Sequence, residues 1–302
     1  APSLIQEASA WRGYMTRANA ISPDFQSGEQ IQTSLRTAAA YEPKQFLRGA
    51  VAYAAIVALQ DPTFVAELRK VAADPAQRIA MRDQLLSNPN MATVLPGAES
   101  AAGLILQALG NEGQRMVVNG RAVKQAAYSV QHSAWSKAAV PDREGRLIAA
   151  KSLSSSPMSG DAADVMLLQQ ASTGPAAATP LGLTAASAPP PWSPLVVRGL
   201  TLAALAAIGE AGDQNLDAIT TLSAEPNAAY CLNMAKLNLY QCLAVSKPHY
   251  EDIFCLGQHI MIDTGACVAR GGGALTALEI HPRPVKLLPP PRPGRAPARR
   301  HR

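Results

Sequence analysis

The sequence predicts an all-α protein: a multi-helix bundle with a disulfide-clamped αα-hairpin near its C-terminal end and a disordered Pro/Arg tail beyond it. Three observations predict this. Apolar residues recur at intervals of three and four through most of the chain, the period of one helix face. Helix-start chemistry, an acid next to a proline, recurs where the periodic stretches begin. Hydrophobic residues make up 48% of the 302 residues but aromatics only 5%. Alanine therefore fills much of the interior, which suits close-packed helices better than a sheet. Alternating strand patterns closed by Asn-Gly or Asp-Gly turns are missing apart from "VVNG" at Val117, and its flanks keep the helical period.

Taken in order, Leu4, Ala8, Trp11 and Met15 form a first core stripe, and Leu47, Ala50, Val51, Ala54 and Ala58 a second. "DPTFVAELRKVAA" opens with Asp61 as cap and Pro62 in the first turn. Asp74-Pro75-Ala76-Gln77 repeats the device and puts Gln77 at the capping-box position. "GAESAAGLILQALG" starts another helix with Glu99 in its first turn. A packed seam follows through Met116, Gly120, Val123, Ala127, Val130 and Ala134, with His132 and Trp135 on the same helix. Pro141-Asp142-Arg143-Glu144 is a further start. Helices of about ten to twenty residues with short Pro or Gly joints are expected, and no repeat period of a solenoid is sustained.

Composition divides the chain. Residues 1–170 read as a helical body. Residues 171–194, "ASTGPAAATPLGLTAASAPPPWSP", read as a linker or surface loop. Residues 195–270 form a second helical block. Its opening run, "LVVRGLTLAALAAIG", is short and broken by Arg198 and Gly199, so a core helix is expected and not a membrane span. Residues 271–302 form a flexible basic tail.

All four cysteines lie between Cys231 and Cys267. Glu225-Pro226 starts a helix carrying Cys231 and Cys242, Lys247-Pro248 breaks it, and Glu251 and Asp252 sit in the first turn of a second helix carrying Cys255 and Cys267. Cysteines eleven residues apart on one helix are separated by about 16 Å, whereas a disulfide needs Cα atoms within roughly 7 Å. Bonds must therefore run between helices. Facing residues of an antiparallel hairpin keep a nearly constant sum of residue numbers. That sum is 497 for Cys242 with Cys255 and 498 for Cys231 with Cys267, against 486 and 509 for the crossed pairing. The nested arrangement, Cys231–Cys267 and Cys242–Cys255, is the one that fits. The alternatives are free buried thiols and a metal site. A single zinc ion cannot reach both cysteine pairs, and a mixed site of His249 or His259 with Cys255 lacks any paired C-x-x-C spacing. The nested geometry resembles that of the twin C-x9-C hairpins of mitochondrial intermembrane-space proteins, although here the intervening gaps are ten and eleven residues.

Two disulfides imply an oxidising compartment. The Ala1-Pro2-Ser3 start matches what a signal peptidase leaves, so a periplasmic or secreted location is expected. Arginine outnumbers lysine, and with abundant alanine and proline this leans toward a bacterial GC-rich genome. The net charge of +5 is concentrated in the tail, where from His281 onward Arg283, Lys286, Arg292, Arg295, Arg299, Arg300 and Arg302 stand without an acid. Without those seven, 20 basic residues face 22 acidic ones, so the body is not a basic fold shaped for nucleic acid. Arg292, Arg295, Arg299, Arg300 and Arg302 are the candidate contacts of the tail with anionic polymer, lipid headgroups or an envelope protein.

No P-loop, dinucleotide fingerprint, H-E-x-x-H or G-x-S-x-G elbow is found, and neither cofactor nor metal is expected. Glu99-Ser100 followed by Gly103-Leu104-Ile105-Leu106-Gln107 resembles the catalytic Glu-Ser and the Gly-Leu-Met-Gln segment of lytic transglycosylases. The second segment here follows at once, and the aromatic-rich motifs downstream are missing. That resemblance implies Glu99 as a general acid. The leading expectation is a non-enzymatic structural or interaction protein of the bacterial envelope. A periplasmic lytic or hydrolytic enzyme using Glu99 is the competitor. An assembly helper, which needs a large exposed apolar groove, is the third reading.

Overall fold

Acid–proline pairs set where several helices begin. The computed structural model describes residues 2–174, 180–184 and 186–273. Its first helices are α1 (Pro2–Asn19), α2 (Gly28–Ala39), α3 (Pro43–Ala58), α4 (Pro62–Ala72) and α5 (Pro75–Ser87). Asp61 accepts from the Phe64 amide at 2.7 Å and Asp74 from the Ala76 amide at 2.8 Å. Each thus satisfies a first-turn donor, while Pro62 and Pro75 occupy positions whose N–H has no helical partner anyway. Gln77 forms no reciprocal box with the Asp74 backbone; its amide donates to the Asp74 carboxylate at 3.2 Å.

A 3₁₀ turn (Pro89–Val94) leads into α6 (Ala98–Val130), followed by α7 (Ala134–Lys137), α8 (Arg143–Leu153) and α9 (Ala162–Ser172). The second block holds α10 (Pro194–Ala207), α11 (Leu216–Leu222), α12 (Pro226–Val245), α13 (His249–Cys255) and α14 (Asp263–Gly271). A π-helical stretch, Leu256–Ile262, joins α13 to α14. The protein is all-α. Among the described residues the nearest thing to a sheet is one isolated bridge, Ala139 with Pro248.

Helix α3 lies at the centre and is buried on all sides from Gly49 to its end. It packs on α1, α6 and α10. The scarce aromatics gather beside it: Trp11 stacks on Tyr53 at 4.9 Å, and Tyr14 meets Tyr41 and Phe46 edge-on. One hydrophobic core includes residues of both blocks, from Leu4 to Val268. Residues around 186–192 cross the start of α6. There the Ala188 amide donates to the Glu99 carbonyl at 3.1 Å, and Trp192 Nε1 donates to the Ala188 carbonyl at 3.0 Å.

At 33 residues α6 exceeds the expected length. Its length follows from its partner. The antiparallel run from α13 to α14 lies along it, with glycines where the backbones meet. A Cβ on Gly257 would come within 2.5 Å of the Lys124 amide nitrogen, and one on Gly265 within 2.9 Å of the Gly113 carbonyl. Burial against this partner outweighs the low helix propensity of Gly110, Gly113 and Gly120. The helix ends at Val130, earlier than the seam predicts. Ser136 Oγ takes the Val130 carbonyl and also donates to the Ser133 carbonyl at 3.0 Å, which stops the helix. Ala134 and Trp135 therefore belong to α7, and His132 lies exposed in the turn between the two helices.

No single helix among the described residues is long and apolar enough to cross a membrane. Helix α10 is buried along most of its length, as a core helix should be. Of the expected basic tail, Gly271 is the last residue of α14, and residues 274–302, with Arg292, Arg295, Arg299, Arg300 and Arg302, lie outside the described residues.

Candidate functional site

The two disulfides are Cys231–Cys267 and Cys242–Cys255, with Cα separations of 5.8 and 5.7 Å. They join α12 to the returning run at its open end and at its turn. No free cysteine is left among the described residues, so Cys255 has no thiolate for His249 or His259 to share with a metal. Among the described residues no group of three or more His, Cys, Asp or Glu is placed to hold a metal ion.

Polar residues of the π stretch tie the hairpin to its neighbours. Lys124 Nζ of α6 donates to Gln258 Oε1 at 2.7 Å. Asp263 accepts from Asn238 of α12 and from Gln258, both at 3.3 Å, and its Oδ2 lies 3.2 Å from His259 Nδ1. Sequence periodicity gives no sign of this stretch, because a π turn inserts residues without changing their apolar character.

The turn of the hairpin is anchored by a buried ion pair. Asp252, 0% exposed, meets Arg146 Nη1 and accepts from Ser246 Oγ at 2.8 Å and Gln32 Nε2 at 3.0 Å. A charge buried this deeply requires such a full set of partners. In the sequence Asp252 reads as a first-turn acid suited to the helix dipole; its partners Arg146 and Gln32 lie 106 and 220 residues away. Arg146 Nη2 also reaches the Leu243 carbonyl. Arg143 donates to the Ala244 carbonyl at 3.0 Å and the Ser246 carbonyl at 2.7 Å. Two arginines of α8 thus satisfy the last carbonyls of α12. The loop after them is held by the Val140 amide on the Lys247 carbonyl at 2.9 Å.

Over this anchored turn lies a groove of about 400 Å³. Its walls include Tyr128 from α6, Val245 from the end of α12, Tyr250 and Phe254 from α13, and the Cys242–Cys255 bridge. Tyr128 meets Phe254 edge-on at 6.4 Å. Tyr128 is 48% and Val245 73% exposed. Glu251 is the acid on the groove wall, and its Oε2 accepts from the Lys247 amide at 2.7 Å. With so few aromatics in the chain, three on one open groove stand out from the buried nest around α3. Ring faces, phenol donors and one carboxylate suit an apolar segment with exposed carbonyls and a cation.

A second cleft, about 370 Å³, lies between α2 and α8 and is bordered by Gln32, Arg36, Asp142 and Arg146. Both Arg146 end nitrogens are taken by Asp252 and Leu243, and its Nε is sealed from solvent. The floor therefore offers little to a ligand.

Glu99 is exposed on the first turn of α6. Its carboxylate accepts from Ser187 Oγ at 3.3 Å. Gly103, Leu104 and Ile105 continue the same helix and are buried. The segment that lies apart in lytic transglycosylases is here part of one unbroken helix with the acid. Glu99 borders neither of the two clefts.

A further ionisable residue in the core, Lys236, has no local signature in the sequence. Lys236, 3% exposed, donates to the Ala39 carbonyl at 2.6 Å and Ser154 Oγ at 3.0 Å and lies 3.5 Å from the Tyr41 ring centre. Desolvation holds its amine well below the ordinary lysine range, with Glu42 opposing more weakly. Its work is structural: it closes the C-terminal ends of α2 and α8.

The chain matches no family model, and comparison with curated proteins and with solved structures found no match.

Proposed function

We propose that this is a periplasmic or secreted bacterial protein that acts by binding, without catalysis, and that its contact surface is the groove at the hairpin turn. The coarser part rests on the disulfides, which point to an oxidising, extracytoplasmic compartment. The observation that carries the binding role is the groove itself. The Cys242–Cys255 disulfide and the Arg146–Asp252 ion pair anchor its α12 and α13 walls, while Tyr128 and Val245 remain open to solvent. Pre-organised walls reduce the ordering cost of association. The partner class is an envelope protein presenting a short apolar or proline-rich segment, with the basic tail adding attraction to anionic polymer or headgroups.

The test compares pull-downs from envelope extract using the wild-type chain, Val245→Asp with Tyr128→Asp, Glu99→Gln, and a chain lacking residues 274–302. Loss of partners with the groove variant and retention with Glu99→Gln is the expected outcome. Equal recovery by all four contradicts the reading. Incubation with purified cell-wall glycan is the second arm. Release of soluble fragments by the wild type and not by Glu99→Gln would replace binding with lytic chemistry.

A further inference from the structure

We infer that the groove has an occupant within the same chain: the proline–arginine stretch Leu288-Pro289-Pro290-Pro291-Arg292-Pro293-Gly294-Arg295. The inference deepens the reading above by naming what sits on the groove before any partner does, and it requires only the groove and the tail.

The chemistry on the two sides matches. Successive prolines favour an extended polyproline II backbone before binding, so docking orders little that is not already ordered. Proline rings pack on aromatic faces, and carbonyls without neighbouring N–H groups accept from phenol hydroxyls. The groove presents Tyr128, Tyr250 and Phe254 as ring faces and the hydroxyls of Tyr128 and Tyr250 as donors. Pro290 and Pro293 are three residues apart, one turn of that helix, and therefore share a face. Arg295 follows two residues later, and Glu251 on the groove wall is the carboxylate for it. Lys124, a cation near Phe254, is already engaged, with Gln258 at 2.7 Å and the Phe254 ring at 5.1 Å.

The chain is long enough to reach. The described chain ends at Gly273, against Leu106 of α6. Tyr128 lies 22 residues further along that helix, about 33 Å away. Residues 274–288 can span up to about 50 Å. A tether of this length raises the local concentration of the segment to the millimolar range, so even an affinity of about 1 mM keeps the groove substantially occupied. A second copy in micromolar solution cannot compete with that.

The test uses the full chain with Val245→p-benzoylphenylalanine, irradiated at ~1 µM, where the tethered segment outcompetes any second molecule. Val245 borders the groove and is largely exposed, so the photo-label leaves the aromatic walls in place. Mass mapping is expected to find crosslinks within one chain to residues 288–295. Pro290→Ser with Pro293→Ser should weaken docking about fivefold, the effect of losing roughly 1 kcal/mol, and so lower the yield from a half-occupied groove about threefold. Glu251→Lys should lower it too, and Arg292→Glu with Arg295→Glu should restore it in that background. Absence of crosslinks to the tail, crosslinks found only between two copies, or a yield unchanged by the proline substitutions overturns the inference. Because the purified chain is tested alone, a failed pull-down with intact crosslinking condemns the partner reading only, and the reverse condemns this one only.

Discussion

Lys236 carries an amine into the core where the nearest groups are a carbonyl, a hydroxyl and a tyrosine ring. Burial lowers its native pKa, whereas in the unfolded chain the amine titrates near 10.4. Between those values the unfolded chain binds more protons than the folded one, so stability rises with pH across that window. Burial pushes Tyr14 and Tyr41 the other way, upward. Above about pH 10 the unfolded chain loses tyrosine protons that the folded one keeps, and stability falls. The urea midpoint should therefore climb toward about pH 10 and then decline. Lys236→Met should flatten the climb and leave the decline; identical profiles for the two proteins contradict the assignment. Arg146 supports a second expectation. Arg146→Met leaves Asp252 buried without its cation and should cost about 3–5 kcal/mol, whereas Arg146→Met with Asp252→Leu should cost less than either change alone. Additive losses in that cycle rule out the pairing. Neither residue was legible in advance. A buried polar group is defined by partners distant in sequence, and Ala39, Ser154 and Lys236 share no local pattern.

Among elements, the hairpin was the most legible. Four cysteines, a Lys-Pro break and rigid helix spacing leave one pairing, and the pairing needs no knowledge of the rest of the fold. The starts at Asp61, Asp74, Asp142 and Glu225 were legible for the same local reason, since a cap acts within one turn. The end of α6 was not: Ser136 stops it through a side-chain contact that the apolar period cannot register. Nor did the glycines reveal their role as contact points, because close approach depends on the partner helix. The disulfides differ in what they should contribute. They close separations of 36 and 13 residues, so losing Cys231–Cys267 as a serine pair should cost about 4 kcal/mol and losing Cys242–Cys255 about 3 in the chain-entropy model. Urea unfolding of the two double variants measures this. If removal of Cys242–Cys255 is clearly the costlier, the turn is held by that bond more than by Arg146 and Asp252.

At the scale of the whole molecule, the sequence conveyed class better than arrangement. Apolar stripes establish that helices exist and which faces they bury, but not that α3 is enclosed by α1, α6 and α10 or that one core includes both blocks. The candidate groove was invisible because Tyr128, Val245 and Phe254 come from three helices. It exists because α12 and its returning partner are crosslinked and laid against α6. Everything proposed for this protein, from compartment to contact surface, depends on that crosslinking. The most direct measurement is mass mapping of an unreduced, thiol-blocked digest of the protein taken from its native host. It should find Cys231 linked to Cys267 and Cys242 linked to Cys255. Four blocked thiols, or any other pairing, would contradict the account.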